Sequence, residues 1–425
     1  MAEILILGGG VAGISAAWHA SKAGREAVIF EAKERWGGLL DYFDLEGFRF
    51  DNAVHFAFSS NKEYRAVLDM TDYITHRPEP YNYEQGRWLK HPVQNNLYPL
   101  PVEEKVKAIK SFIERPDQIK NSDYRQWLEE QFGEYIAGRF PARYTEKYWT
   151  VPADNLSTDW IGNRLYRPTL EEVLFGAMTE RTPSTYYLPE MLYPLGGGYR
   201  TFLEPLAGGL DLRTGKEAVY LDPSRRLVEF KDGSSEHYDY LVSSVPLPEL
   251  IGMIDSAPSA VREAASSLWA TSVALVSLGF NKPRAGGHLW FYIYDHDIRP
   301  SRVHAPYRKS PANVPEGCSS LQFETYFSRH CQLKCTGEEL IEHVITSVEQ
   351  MQLASRSDIA VADYRTLPYG NVVFDHGMVA RRDFVLDYIG KCGILPVGRF
   401  GEWDYLWADQ SFLSGKKVET LPFML

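Results

Sequence analysis

Apolar and small residues follow one another in blocks over the first thirty positions of the chain. The apolar run Ile4–Leu7 predicts a buried strand, and Ile14–Ser21 continues as a helix rich in alanine. A second apolar run, Ala27–Phe30, predicts another strand. This order of strand, helix and strand is typical of the start of an α/β domain.

The pattern changes twice further along the chain. Between Val102 and about Glu180 it is helical, because Val102–Arg115 and Tyr124–Ile136 carry apolar residues at steps of three and four. A later amphipathic helix is predicted at Gly337–Met351. Strand patterns occupy six further segments, of which the last three are expected to be antiparallel: Glu217–Tyr220, Arg226–Phe230, Tyr240–Ser244, Ser272–Phe280, His288–Tyr294 and Leu321–Ser328.

The turn between the first strand and the first helix is rich in glycine. Gly8, Gly10 and Gly13 have the G-x-G-x-x-G spacing. In this motif the first glycine permits the tight turn, the second lets a pyrophosphate approach the backbone, and the third lets the helix pack on the strand. Glu31 ends the second strand, 18 residues after Gly13, where a ribose diol finds its acceptor. Together these features predict a dinucleotide-binding site.

The residues after Glu31 favour FAD over NAD as the bound dinucleotide. Ala32–Gly38 contains basic residues followed by a Gly-Gly pair, which flavoproteins place beside the adenosine ribose and the pyrophosphate. An ordinary glycine turn before the next strand is the alternative. No His or Cys lies in an evident flavinylation motif, so we expect the FAD to be bound non-covalently.

Composition narrows the class of protein. With 425 residues the chain is too long for one simple core, and 44% hydrophobic and 24% charged residues are ordinary for a soluble protein. A net charge of −11 argues against nucleic acid as the main partner, although small anions need only two or three local arginines. We expect no metal site, no signal peptide and no membrane span. Four cysteines without metal or disulfide spacing favour a reduced, cytoplasmic protein: Cys318, Cys331, Cys335 and Cys392.

Several motifs along nearly the whole chain converge on one family. They are Phe50-Asp51 with His55 and Phe58-Ser59, Pro92–Asn96, Tyr148–Pro152 with Trp160–Arg164, Tyr292 with Arg302, and Gly398–Trp403 with Tyr405. In these motifs the chain resembles the UDP-galactopyranose mutases, flavoenzymes of the amine-oxidase-like superfamily. The Gln-Asn-Asn block within Pro92–Asn96, and the pair Trp149 and Arg164, are the more specific features.

The resemblance implies a reaction. Such mutases interconvert the pyranose and furanose forms of a nucleoside-diphosphate sugar, such as UDP-galactose, through an adduct between N5 of the reduced flavin and the sugar. There is no net redox change, but NAD(P)H or another reductant must first reduce the FAD. The chemistry is covalent catalysis by the cofactor, which the protein orients.

The resemblance also implies the site residues. Arginine suits a diphosphate leaving group because its planar fork binds phosphate oxygens in pairs. The expected catalytic residues are His55, Arg164 and Arg302. The expected cofactor-binding residues are Gly8, Gly10, Val11, Ala12, Gly13, Glu31, Ala32, Arg35, Gly38, Leu39, His55, Arg399, Asp409, Gln410 and Ser411, the last three at the start of a C-terminal helix. The expected substrate-binding residues are Phe58, Gln94, Trp149, Arg164, Tyr292, Arg302, Tyr369 and Tyr405. For each of these the alternative is an ordinary structural residue.

Two departures from the family pattern affect these expectations. Ala53-Val54 replaces the Gly-Gly pair that usually precedes the flavin-side histidine, and side chains with a Cβ restrict positive φ. Movement of this loop with the redox state of the flavin is therefore in question. His91 and Val93 stand where the family often stacks uracil on aromatic residues. The base is thus held differently, or is another pyrimidine such as thymine.

The predicted fold class is α/β, with a Rossmann-like FAD-binding domain, a helical insertion domain and an antiparallel β-sheet substrate domain. Residues 1–85, 200–260 and 370–425 are expected to form the discontinuous FAD-binding domain. The helical domain covers residues 95–180, and the substrate domain covers 181–200 with 265–369. A homo-oligomer is compatible with the sequence, which does not determine the oligomeric state.

Two other functions stay open. One is a true redox flavoenzyme of the amine oxidase, desaturase or protoporphyrinogen oxidase type. The other is a relative whose reduced flavin performs different non-redox chemistry, or that binds nucleotides without turnover. The pair Arg164 and Arg302 favours the mutase, because a neutral substrate needs no diphosphate clamp.

Overall fold

The computed structural model of the chain describes residues 3–116, 123–162, 164–183 and 189–422. Asn163, which belongs to the Trp160–Arg164 motif, lies outside the described residues. The strands are β1 (Ile4–Leu7), β2 (Ala27–Phe30), β3 (Tyr42–Leu45), β4 (Phe48–Asp51), β5 (Tyr73–His76), β6 (Tyr81–Glu84), β7 (Arg87–Lys90), β8 (Met191–Pro194), β9 (Asp211–Arg213), β10 (Ala218–Asp222), β11 (Leu227–Phe230), β12 (Ser235–His237), β13 (Tyr240–Ser243), β14 (Ser272–Phe280), β15 (Trp290–Ile293), β16 (Arg302–His304), β17 (Ser319–Phe327), β18 (Ile359–Leu367) and β19 (Ile394–Pro396).

The α-helices contribute one compact group, α3 to α7, and several segments that cover the sheets. They are α1 (Val11–Lys22), α2 (Lys62–Leu68), α3 (Val102–Ile113), α4 (Tyr124–Phe132), α5 (Glu134–Arg139), α6 (Pro141–Tyr148), α7 (Leu170–Met178), α8 (Glu204–Ala207), α9 (Leu247–Gly252), α10 (Ser259–Ser267), α11 (Pro306–Lys309), α12 (Gly337–Gln350), α13 (Met378–Lys391), α14 (Gly398–Gly401) and α15 (Ala408–Gly415). None of these helices is long and apolar enough to cross a membrane.

A parallel sheet of five strands, in the order β19-β13-β1-β2-β9, unites segments that are far apart in the sequence. Its central strand β1 is buried on both faces, because Ile4 and Ile6 join one hydrophobic core while Leu5 and Leu7 join another. Burial on both faces explains why the strand is a continuous apolar run rather than an alternating one. The carboxyl ends of these parallel strands meet at one edge of the sheet, where open α/β sheets bind their ligands.

A second sheet has seven strands in the order β18-β14-β17-β16-β15-β6-β7. β14 and β17 pair antiparallel along their whole length, from Ser272 opposite Phe327 to Phe280 opposite Ser319. The parallel contact within this sheet is the one between β15 and β6. The parallel sheet, the antiparallel sheet and the helical region confirm the predicted fold class, whereas the exact domain boundaries stay a prediction.

One helix prediction was wrong. The segment Tyr124–Ile136 forms two helices, α4 and α5, instead of one. The break falls at Gly133, which has φ +77°, and a Cβ there would lie 2.2 Å from the carbonyl oxygen of Ser111. The close approach of α3 therefore requires a glycine and a change of direction at this position.

Candidate active site

A cavity of about 550 Å³ lies between the carboxyl edge of the parallel sheet and the seven-stranded sheet. Gly8, Glu31 and Ser244, which follow β1, β2 and β13, form part of its wall on the first side. Arg302 and Tyr326, on β16 and β17, form part of the wall on the other side. The cavity therefore joins the predicted dinucleotide motif to the predicted substrate residues.

The three glycines of the motif differ in what surrounds them. Gly8 has φ +99°, and a Cβ there would lie 2.3 Å from the Ser244 hydroxyl oxygen. A Cβ on Gly13 would lie 1.9 Å from the Gly8 carbonyl oxygen. A Cβ on Gly10, by contrast, would meet no atom within 4 Å, although Gly10 lines the cavity. Gly8 and Gly13 are thus needed for packing, whereas Gly10 leaves room for a ligand beside the backbone.

Glu31 is fixed beside this turn by the backbone. Its carboxylate accepts hydrogen bonds from the N–H groups of Gly9 at 2.7 Å and Lys33 at 2.9 Å. Helix α1 begins nearby at Val11, and it has neither a side-chain cap nor an acidic residue in its first turn. An open helix N-terminus next to a fixed carboxylate suits a pyrophosphate and a ribose diol, so these residues fit FAD.

Arg35 does not take part in this wall. Its guanidinium donates to the Asp41 carboxylate, with Nε at 2.9 Å and Nη2 at 2.8 Å, and its side chain is 52% exposed. Arg200 binds the same carboxylate at 2.6 Å. The other predicted residues that follow Glu31 do line the cavity: Ala32, Gly38 and Leu39.

The C-terminal helix α15 begins at Ala408, in agreement with the predicted helix start, and its first turn faces the cavity through Ala408 and Ser411. Asp409 and Gln410 have structural contacts instead. The Asp409 carboxylate accepts from the Ser59 hydroxyl at 2.9 Å, and the Gln410 side-chain oxygen accepts from the Trp407 N–H at 2.8 Å. Both contacts hold the start of the helix against the cavity.

His55 lines the cavity, and its Nδ1 atom is buried without a hydrogen-bond partner among the described residues. Burial lowers the pKa of His55 to about 3, an effect that Asp51 opposes and that Lys309 and Arg302 strengthen. The imidazole is therefore neutral near pH 7. An unpartnered nitrogen in the wall of the cavity is what a bound ligand would complete.

The loop before His55 contains a residue with a positive φ, although the side chains of Ala53 and Val54 were expected to restrict that conformation. Ala53 has φ +76°, in the left-handed region, which costs about 1–2 kcal/mol for a residue with a Cβ. The next residue, Val54, donates its N–H to Oε1 of Glu324 at 2.8 Å. This hydrogen bond to a buried carboxylate is one of the contacts that hold the loop in its strained form.

The same carboxylate binds Arg302. Glu324 has a fully buried side chain, and its Oε2 accepts from Arg302 Nε at 2.7 Å and from the Tyr326 hydroxyl at 2.9 Å. Burial alone would lower the pKa of Arg302, but Glu324 raises it well above its ordinary value. Arg302 therefore stays charged, and its remaining donors can face the cavity.

Three more tyrosines take part in the cavity wall. Tyr148, Tyr292 and Tyr405 all line the cavity, and the hydroxyl oxygens of Tyr148 and Tyr405 lie 3.0 Å apart. Tyr148 also donates to Oδ1 of Asn371 at 3.2 Å. Burial raises the pKa of Tyr405, so its hydroxyl keeps its proton and can donate to an anion. Arg399 lies with its Cζ 4.8 Å from the centre of the Tyr405 ring.

Four predicted substrate residues lie behind this wall rather than in it. Arg164 donates to the carbonyl oxygens of Trp160 at 2.7 Å and Tyr405 at 2.6 Å. Trp149 is 3% exposed and packs with its ring 5.3 Å from that of Tyr405. Both side chains thus support Tyr405, and direct binding to substrate stays a prediction.

The other two are Gln94 and Tyr369. Gln94 uses its amide nitrogen to donate to the Tyr166 carbonyl at 2.9 Å. Burial raises the pKa of Tyr369, and the carboxylate of Glu249 beside its hydroxyl raises it further. Phe58, in contrast, lines the cavity as expected and packs against Trp407 with ring centres 5.1 Å apart.

Some residues that line the cavity, or that bind a residue in its wall, were missed from the sequence. Glu324, Tyr326 and Asn371 are distant from the motifs, and Tyr148 lies within one but was not selected. A signal existed for Glu324, since it is the one charged residue within the predicted strand Leu321–Ser328. Asn371 offered no signal, because its place beside Tyr148 depends on the fold.

Comparison with known proteins decides the family. The model of the flavin containing amine oxidoreductases matches residues 11–365. The chain belongs to this family. It is thus a flavin-dependent enzyme of the amine oxidase superfamily, and the family supports FAD as the cofactor. A "Probable flavin-containing monoamine oxidase A" of Dictyostelium discoideum is 22% identical over 283 residues, which are 60% of this chain and 60% of that protein.

Solved structures of other proteins share the fold. The structure of a reduced UDP-galactopyranose mutase superposes with a TM-score of 0.92 at 24% identity, covering 98% of this chain and 94% of that one. A putrescine oxidase variant superposes with a TM-score of 0.68 at 15% identity, covering 99% and 98%. The predicted resemblance to the mutases is therefore confirmed for the fold.

The buried histidine His304 should make the stability of this protein depend on pH. His304 is fully buried, neither of its ring nitrogens has a partner among the described residues, and burial lowers its pKa well below the ordinary value. Below about pH 6.5 the unfolded chain binds a proton that the folded chain excludes, so the free energy of unfolding should fall by about 1.4 kcal/mol per pH unit for this group.

Urea unfolding at pH 7.0 and pH 5.5, at equal flavin content, measures this effect. The His304→Leu variant should lose less stability between the two pH values than the wild type. The matched control is His237→Gln, at an exposed position, which should leave the pH dependence unchanged. An equal loss in His304→Leu and the wild type would show that His304 does not cause it.

Proposed function

We propose that this chain is a non-redox flavin mutase that interconverts the pyranose and furanose forms of a UDP-galactose-like nucleoside-diphosphate sugar. The observation that carries the proposal is the cationic end of the cavity. Arg302 and Arg399 line it together with tyrosine hydroxyls, and Arg399 forms no ion pair within the described residues. Glu324 already balances Arg302, but a neutral substrate would leave Arg399 without an anionic partner, so such an end suits a diphosphate.

The residues present fit FAD as the resident cofactor. Gly10, Val11 and Ala12 would hold the pyrophosphate, Glu31 the ribose, and the first turn of α15 with His55 the flavin end. When bound in its reduced form, FAD would supply the nucleophile for the anomeric carbon of the sugar. Because His55 is neutral, its free nitrogen would contribute a hydrogen bond rather than a charge.

Arg302 would act on the leaving group. As the bond between the sugar and the diphosphate breaks, the diphosphate gains negative charge, and a charged guanidinium in a partly dry cavity stabilises that charge more strongly than in water. Tyr292 would donate a hydrogen bond from its hydroxyl group to the same oxygens, and Tyr405 would do so by turning its hydroxyl from Tyr148 to the ligand. The Glu324 carboxylate holds Arg302 in place and keeps it charged.

The second candidate is a redox flavoenzyme of the amine oxidase or desaturase type. The family match supports it, and so does an apolar part of the cavity wall formed by Phe56, Met191, Val273, Trp290 and Leu367. A redox enzyme would consume an oxidant or a reductant in proportion to its product. A mutase would need only one initial reduction of the flavin, by NAD(P)H or another reductant.

Turnover with the flavin in a known redox state distinguishes these candidates. The purified protein should contain non-covalent FAD that denaturation releases. With dithionite-reduced protein, NMR of UDP-galactopyranose should show the furanose form, while the oxidised protein should show none. Steady consumption of NAD(P)H or release of peroxide in proportion to turnover would favour the redox enzyme instead.

Recognition of the base is expected to be weak. Val93 is 1% exposed within the core, and the His91 ring packs 4.8 Å from that of Tyr292. Gln94 already donates to a backbone carbonyl. Without an aromatic stack, which contributes about 0.5–1.5 kcal/mol, UDP and dTDP should compete with similar affinity. Competition binding with UDP, dTDP and GDP checks this, and a preference above roughly a hundredfold, about 2.7 kcal/mol, between UDP and dTDP would contradict it.

A further inference from the structure

The Lys147 side chain joins helix α6 to the seven-stranded sheet. Its Nζ donates to three backbone carbonyl oxygens, those of Ile293 at 2.9 Å, Asp295 at 2.8 Å and Ile298 at 2.8 Å. An ammonium group has three donors and no acceptor, so all of its donors are in use. Lys147 forms no ion pair within the described residues, so these carbonyl groups are its direct partners there. We call the three hydrogen bonds the Lys147 clamp.

The three carbonyl groups belong to the end of β15 and to residues 294–301, the loop that joins β15 to β16. The two strands carry Tyr292 and Arg302, which lie opposite one another in the sheet and both line the cavity. Ile293 directly follows Tyr292, and its N–H donates to the carbonyl of Ser301, which precedes Arg302, at 2.9 Å. The clamp therefore holds the loop next to two residues of the cavity wall.

Helix α6 carries side chains of the same part of the cavity. Tyr148 directly follows Lys147 and lines the cavity, and its ring centre lies 5.7 Å from Cζ of Arg302. Tyr144, one turn earlier, has its ring centre 5.5 Å from that of Tyr148 and 5.4 Å from that of Tyr292. Aromatic pairs tolerate centre distances from about 4.5 to 7 Å. These rings therefore bring the helix and the sheet together without fixing their exact relative position.

We propose that Lys147 is a positioning residue for the substrate, because it fixes Tyr292 and Arg302 relative to Tyr148 by holding the loop 294–301 against α6. Three directional hydrogen bonds from one nitrogen define the place of the loop, whereas the ring contacts alone would let it slide. The diphosphate as the ligand rests on the proposed function, but the clamp rests only on the contacts of Lys147.

The charge of Lys147 has a cost that a space-filling residue would avoid. Burial lowers the pKa of Lys147 to about 7, an effect that Asp295 and Asp297 oppose. A methionine would fill the same space without a buried charge. What methionine cannot supply is three donors to the loop, so the contribution of the ammonium group is geometric.

UDP binding to the flavin-loaded full chain at pH 6.0, where Lys147 is charged, tests the positioning role. The dissociation constant for UDP should rise by about tenfold or more in Lys147→Ala, because small displacements of positioned groups are costly. The flavin content should stay unchanged. Lys107→Ala, which removes an exposed lysine from α3, should bind UDP like the wild type. Wild-type UDP affinity in Lys147→Ala would overturn the proposal.

Chemical rescue separates the hydrogen bonds of the clamp from its charge. Propylammonium supplies the three carbons and the ammonium group that alanine lacks, so it should strengthen UDP binding by Lys147→Ala at least severalfold. Tetramethylammonium carries the same charge but has no N–H group, and at the same concentration it should have no effect. An equal effect of the two cations would show that charge alone is involved, and would overturn the clamp.

Hydrogen exchange tests the clamp without a ligand. In Lys147→Ala the backbone N–H groups of residues 294–301 should exchange about tenfold faster than in the wild type, because local opening of the loop costs less. Strand β14 should keep its protection. If the wild type fails to bind UDP, the proposed function is wrong, and this exchange rate then decides the clamp on its own. Unchanged exchange over 294–301 would overturn the clamp whether or not UDP binds.

Discussion

Replacement of Arg302 by alanine is expected to lower kcat by about 10²–10³, the loss found when one donor to a developing anion is removed. Arg302→Lys should lose less, because it keeps the charge but not the paired donors. The effect should appear in turnover as well as in binding, since the diphosphate gains charge only as its bond to the sugar breaks.

The alanine variant also leaves Glu324 buried without its cation, which typically destabilises a protein by about 3–5 kcal/mol. The double variant Arg302→Ala with Glu324→Gln separates the two effects, because it removes the guanidinium without leaving a buried charge. It should fold like the wild type and remain slow. Arg299→Ala, at an exposed arginine in the loop before β16, serves as the control. A normal turnover rate in the double variant would remove Arg302 from the catalytic residues.

The second large effect is expected at the glycine turn. Gly10→Ala should fold normally but lose FAD affinity by at least tenfold, because the new methyl group meets no protein atom and enters the space left for the ligand. Gly13→Ala should not fold stably, since its Cβ would lie 1.9 Å from the Gly8 carbonyl oxygen. Contacts this short force backbone shifts that cost about 1–3 kcal/mol or more.

Flavin content and thermal unfolding of the apo-proteins measure these two effects independently. The control is Gly390→Ala near the end of α13, where a Cβ also meets no atom within 4 Å. The Gly390→Ala variant should keep the flavin content and the thermal stability of the wild type. Wild-type FAD affinity in Gly10→Ala would show that the dinucleotide does not approach the backbone at this turn.

Strands whose burial is uniform were predicted correctly. β1 and β2 are apolar throughout, and β14 is a long interior strand that pairs with neighbours on both sides. β18 was missed because it lies at the sheet edge, where only Val361 and Leu367 are buried and the pattern is mixed. The break at Gly133 was missed because the apolar steps continue through it, and only the neighbouring α3 reveals the reason.

The site was predictable where a motif places the residue directly at a strand end or a helix start. Gly10 and Glu31 are of this kind, and both line the cavity; His55 lines it too, from the loop after β4. Gln94 and Arg164 also belong to motifs, but their side chains turn to backbone carbonyls. Residue type alone does not reveal which side-chain donors already bind backbone carbonyls in the folded protein. That depends on contacts between segments that are distant in the sequence.

Glu324 connects two parts of the cavity that are far apart in the sequence. One of its oxygens holds the guanidinium of Arg302, and the other holds the backbone of Val54, the neighbour of His55. A substitution that moves or removes the Glu324 carboxylate therefore also loosens the strained loop at Ala53. Substitutions at Glu324 that alter the Arg302 side of the cavity therefore also alter the loop beside His55. Redesign of this enzyme at Glu324 should change both parts of the cavity together.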